Sequence, residues 1–122
     1  MKLNPNCVRA VLLAVEEKSD YHHQMHYLRG ELSNTPLDNF YHEEIIYHIR
    51  QCELSNLIYD VSYCDGGVSI YVKDLTPLGH EFLSNIKNEA VWKKLLLKCA
   101  NASLPILMEI APKIALDFYL SQ

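Results

Sequence analysis

The chain has 122 residues, 49% of them apolar and 21% charged, with eleven Lys+Arg against fifteen Asp+Glu for a net charge of −4. That composition describes one soluble globular domain, and it excludes a disordered tail, a collagen-like chain and a disulfide-dense mini-protein. The acidic balance argues against a polyanion binder as a whole, and no stretch reaches the roughly 18 apolar residues that a membrane span needs.

The first element is a helix over 4–18. Asn4 suits the N-cap and Pro5 the first helical position, where a missing N–H costs nothing. Val8, Val11, Leu12 and Val15 recur at helical spacing and define a buried stripe, with Arg9, Glu16 and Lys18 outside it. Charges interrupt the apolar run, so no signal-peptide layout is present and a cytoplasmic setting is expected. Residues 20–39 are polar and punctuated by Gly30, Pro36 and Asn39, with a short strand around Met25–Leu32.

A second helix covers 42–55. Ile45, His48, Ile49 and Cys52 share its apolar face, and Glu43 and Glu44 lie in the first turn, where the helix dipole favours them. Asn56 suits a left-handed C-terminal cap. Two strands follow, 57–63 and 68–73, joined by Cys64-Asp65-Gly66-Gly67, a hairpin turn with glycines where positive φ is needed. Because Asn56 leaves no room for a crossover, the hairpin is expected to pack antiparallel beside the 42–55 helix. Thr76-Pro77 restarts helix, with Leu78, Phe82, Leu83 and Ile86 as its apolar face. A helix over 89–100 turns Val91, Leu95 and Leu96 inward beside Trp92. The last, 104–120, is capped by Ser103 and carries Leu107, Ile110, Ala111, Ile114, Ala115 and Phe118 in one stripe, with Pro112 set to bend it.

These elements, helix, tight connection, hairpin and capped helix, resemble a winged-helix domain. The expected fold is therefore α+β: a winged-helix-like domain over 1–100, helices plus a β-hairpin wing, and a C-terminal helical extension over 101–122. More specifically, Met1-Lys2-Leu3-Asn4-Pro5-Asn6-Cys7-Val8-Arg9, the Glu43–Ile49 run, the Asp65-Gly66-Gly67 turn and the Gly79–Trp92 run through Lys94 resemble the domain of unknown function 2513 family, from residue 1 to about 115. Asn56 stands where that family usually has Gly, and Asn is the next best residue for a left-handed cap. The resemblance implies a winged-helix-like fold and a phage or prophage setting, and carries no catalytic or binding residues with it.

Four cysteines, Cys7, Cys52, Cys64 and Cys99, are widely spaced with no C-x-x-C pair, so they read as free thiols in a reducing compartment. His22, His23 and His26 cluster, and His22 and His26 would share a helix face, but no third ligand has a telling spacing; no metal and no cofactor is expected. Tyr47-His48, His80-Glu81 and Cys52 lack a third catalytic member, which argues against an enzyme. DNA binding follows from winged-helix analogy alone: the 42–55 helix offers Arg50 and Gln51 among Glu43, Glu44 and Glu53, and the wing tip carries Asp65 and no cation. Lys87, Lys94 and Lys98 could line one solvated helix face. Eight tyrosines, with Tyr21, Tyr27, Tyr41, Tyr47, Tyr59 and Tyr63 in the half expected to be exposed, favour a protein partner. The candidate interaction face is Tyr47, Arg50, Gln51 and Asp65 together with Lys94 and Lys98; Leu107, Ile110, Ile114 and Phe118 are the candidate homodimer helix. A non-enzymatic regulatory or accessory protein, such as an inhibitor of a host or defence protein, is the expected function, with a DNA-binding regulator as the alternative.

Overall fold

The computed structural model describes residues 1–122. It contains five helices, α1 (Pro5–Lys18), α2 (His42–Leu54), α3 (Pro77–Ile86), α4 (Glu89–Lys98) and α5 (Leu104–Leu120), and three strands, β1 (Met25–Leu28), β2 (Ile58–Cys64) and β3 (Ser69–Leu75). A 3₁₀ turn, Pro36–Asn39, precedes α2. The sheet is antiparallel in the order β1-β3-β2, with Met25 opposite Val72 on one side of β3 and Ile58 opposite Leu75 on the other. No helix is long and apolar enough to cross a membrane.

The expected helices form for the expected reasons. The Asn4 side chain accepts from the Asn6 N–H to cap α1, and Cys7, Val8, Val11, Leu12 and Val15 are buried below it. The expected strand near Met25 shortens to four residues, alternating buried Met25 and Tyr27 with exposed His26. Asn56 takes φ +60, the left-handed conformation for which Asn is second only to Gly. The hairpin turn holds three successive positive φ values, 53, 68 and 96 at Asp65, Gly66 and Gly67, which brings Gly67 against the Ile46 side chain of α2.

Three local expectations need correction. Leu78 is exposed, and Gly79 makes the close approach instead, because Thr76 sets the start of α3 against the base of the hairpin. Ser103 makes no side-chain cap hydrogen bond to α5. Tyr27 is buried, not displayed, and its hydroxyl meets His42 Nδ1 at 2.7 Å. Arg9, outside the apolar stripe, crosses to the end of α3: Nε and an Nη donate to the Ile86 and Lys87 carbonyls at 2.9 and 2.6 Å.

One core runs through the chain. Val8, Leu12 and Val15 of α1 join Ile49, Ile58, Ile70, Leu83, Val91 and Leu95 with Leu104, Leu107, Ala111 and Ile114 of α5. The 101–122 segment thus shares its core with residues 1–100, through contacts of α5 with α3 and α4.

At the base of the hairpin the Leu57 carbonyl accepts from the Thr76 N–H at 3.0 Å, and the Thr76 hydroxyl donates to the Asn56 carbonyl while accepting from the Gly79 N–H. A methyl group at Gly79 would collide with the Leu57 carbonyl oxygen, which is backbone and cannot swing away. Gly79→Ala is expected to destabilise by at least the roughly 3 kcal/mol upper end of overpacking substitutions. Urea unfolding checks this, and a loss under about 1 kcal/mol would show that the junction yields.

Candidate functional site

Polar side chains that could do chemistry sit in three places. The first lies under α2. His48 is fully buried, and its two ring nitrogens are both used: Nε2 accepts from the Asn4 N–H at 2.8 Å, so Nδ1 carries the proton and donates to the Glu44 carbonyl at 2.7 Å. The Asn4 side chain also donates to Glu44 Oε2 at 3.1 Å. This imidazole is a strut between the N-terminus and α2, with no nitrogen left for proton transfer. Cys7 and Cys52 are buried beside it. Burial, with the nearby Glu44 carboxylate adding to it, pushes the Cys7 thiol up to about 12; burial likewise pushes Cys52 up. Neither offers a thiolate at neutral pH.

The second place is the outer side of α2 and the β2–β3 hairpin. Arg50 is exposed, yet it is held: its Nη1 lies 3.7 Å from Glu53 Oε1, and its guanidinium sits 5.4 Å from the centre of the Tyr63 ring on β2. The Tyr63 hydroxyl donates to the same Glu53 oxygen at 2.9 Å. Burial, then the Glu53 carboxylate, push the Tyr63 phenol up to about 12 against the pull of Arg50. Tyr47 and Gln51 are half-buried on the same helix, and Asp65 is exposed at the hairpin tip. Residues 1–86, which build α1–α3 and the sheet, carry six Lys/Arg and twelve Asp/Glu.

The third place is the groove between α4 and α5, about 290 Å³, lined by Lys94, Leu97, Lys98, Ile114, Asp117 and Phe118. The Lys94 ammonium lies 5.4 Å over the Phe118 ring. Lys94 and Lys98 thus meet Ile114 and Phe118, and not Tyr47, Arg50, Gln51 and Asp65, because α4 packs on α3 and α5 while α2 packs on α1 and β2. Lys87 leaves the expected lysine row: it ends α3 and its ammonium pairs with Glu16 of α1 at 2.6 Å. In the candidate dimer stripe, Leu107 and Ile114 are buried, and Ile110 and Phe118 half-buried, under the chain's own helices.

A cleft that the sequence reading did not identify lies beside β1. It measures about 330 Å³ and is lined by Ala14, Lys18, His23, Met25, Tyr27 and Leu37 among others. The histidine cluster was its only signal. His22, His23 and His26 do not share a helix: His23 Nδ1 meets Asp20 at 2.8 Å, whereas His26 stacks on Tyr71 with ring centres 4.2 Å apart.

The chain belongs to the domain of unknown function 2513 family. The family description, "Hypothetical protein (DUF2513)", matches residues 2–105. A Haemophilus influenzae chain named "Uncharacterized protein" is 28% identical over 116 residues, covering 94% of this chain and 92% of that one. No solved structure matches it.

Two outcomes follow from the buried groups. In the native protein Cys64 and Cys99, half-buried, are expected to react with a thiol reagent at pH 8 well before Cys7 and Cys52, which require denaturant; equal rates for all four would contradict the placement. A Tyr63 pKa raised above the ordinary 10.0 means that its neutral form is favoured in the fold. Its contribution to stability is complete below pH 10.0 and is lost as pH rises through about 12. Glu53→Gln removes the negative partner and lowers that pKa, read as earlier phenolate absorbance in a difference titration; superimposable curves would show that Glu53 does not act on the phenol.

Proposed function

We propose that this protein is a non-enzymatic, winged-helix-like binding protein of phage or prophage regulatory or accessory type, and that α2 and the wing engage a protein partner. Several features support the reading. The run α1, β1, 3₁₀ turn, α2, β2, β3 with strand order β1-β3-β2 presents α2 and a hairpin side by side. DNA contact by such a face needs free cations for phosphate and base edges. The observation that carries the protein reading is Arg50, the cation of α2, which is shared between Glu53 and Tyr63 of its own chain. Releasing it to a phosphate would leave the Glu53 carboxylate facing a polyanion. A protein partner asks for the opposite: amphipathic rings such as Tyr47 with hydrogen-bonding groups such as Gln51 around them. An inhibitor of a host or defence protein is one form of this reading.

Two measurements separate it from the DNA-binding alternative. Duplex DNA titrated at low salt should show none of the roughly 10⁻⁴–10⁻⁶ M phosphate-driven affinity of non-specific binders. A photocrosslinking residue at position 47 should give a discrete protein adduct in a lysogenic host, and the same residue at exposed Glu81 should not. Salt-dependent DNA affinity that Arg50→Ala weakens would overturn the protein reading.

A further inference from the structure

The structure leaves α5 with two apolar faces, of which its own chain covers one. Leu104, Leu107, Ala111, Ile114 and Ala115 face the core. On the opposite side Ile106, Leu116 and Leu120 remain 48%, 59% and 75% exposed. Between them lie Glu109 and Lys113, both exposed and neither in an ion pair within the chain. Ile106, Lys113 and Leu120 are seven residues apart, as are Glu109 and Leu116, so all five fall on one stripe with the spacing of a two-helix seam.

We propose that this stripe pairs α5 with α5 of a second copy of the chain, antiparallel, about a twofold axis level with residue 111. The occupant is argued from complementarity. In an isologous contact, if residue i touches j, then j touches i. With the axis at 111, Ile106 opposes Leu116 of the second copy and Glu109 opposes its Lys113, each contact occurring twice. A parallel pairing would instead set Glu109 on Glu109 and Lys113 on Lys113. The order apolar, acidic, basic, apolar along one stripe therefore complements itself in the reversed direction only. Leu120 then reaches the level of residue 102, at the start of the other copy's helix. This differs from a dimer through Leu107, Ile110, Ile114 and Phe118, whose side chains already pack within their own chain. It is also independent of what α2 binds. A single helix pair lies at the small end of specific interfaces, below about 1,200 Å² in total, so the dimer forms reversibly and at micromolar concentration or above.

Sedimentation of the full chain across the micromolar range, up to near-millimolar concentration, tests the proposal. The expected result is a reversible monomer–dimer equilibrium. Glu109→Lys and Lys113→Glu each place two like-charge contacts in the seam and should weaken it by about tenfold or more. Mixing the two variants should restore dimers, because every contact across the mixed pair is then between opposite charges; this rescue also shows that both variants are folded. A chain that stays monomeric throughout, a dimer indifferent to both reversals, or a mixture that fails to recover would each overturn it.

Discussion

The fold depends on one short junction, Asn56-Leu57 against Thr76. The left-handed Asn56 ends α2 and reverses the chain within a single residue, with the Leu57 N–H returning to the Cys52 carbonyl. From the other end of the hairpin Thr76 closes on this turn with both its N–H and its hydroxyl, and the same hydroxyl caps α3 through the Gly79 N–H. Four elements are oriented by three residues. A β-branched or larger group at Gly79, or a residue intolerant of positive φ at 56, would separate the hairpin from both helices. The junction also fixes the base of the β2–β3 hairpin, whose tip closes with Gly67 on Ile46 of α2.

A second set of polar contacts fixes α1 against everything else. His48 receives the Asn4 N–H, and Trp92 and Arg9 act close by on the first turns of the same helix. The Trp92 indole N–H donates to Asn6 at 2.8 Å, and Arg9 lies over the indole as it reaches the carbonyls that end α3. No buried side-chain nitrogen or oxygen is left without a partner. In a chain this small an unpaired buried group would cost about 1–3 kcal/mol, a sizeable part of a total of about 5–15 kcal/mol. His48, which looks like chemistry in the sequence, is a satisfied structural group between α1 and α2.

What was legible in the sequence follows from the range of each signal. Helical periodicity and capping are local, and α1, α2 and α5 lie within a residue of where those signals put them. Asp65-Gly66-Gly67 marks its turn by the need for positive φ, which is also local. The partner of β1 was not legible. Four residues with one buried pair carry little pattern, and their pairing with β3 joins segments more than forty residues apart. The same distance problem explains the interaction face. Arg50 reads as free because its neighbours in sequence do not reveal Tyr63 across the turn. Lys94 and Lys98 read as part of a single basic row until Lys87, on a separate helix, turns to Glu16.

The charge distribution ties these points to binding. Residues 87–122 hold five Lys and three Asp/Glu, against the acidic excess of residues 1–86. The net charge is therefore polarised along the chain, acidic over residues 1–86 and slightly basic over 87–122. Beside the hairpin, the Arg50 guanidinium, lying over the Tyr63 ring and paired with Glu53, has already exchanged part of its hydration for neighbours in its own chain. Such a group is a poor counter-ion for phosphate, because binding must first break the pair. In the protein interface proposed above, Arg and Tyr packed together would form a rigid surface that loses little entropy on docking. On the α4–α5 side, one apolar stripe of α5 is used up in covering the core, and on the reverse face Glu109 and Lys113 lie exposed among Ile106, Leu116 and Leu120; in the pairing proposed above, these two charges would set which direction of approach is tolerated.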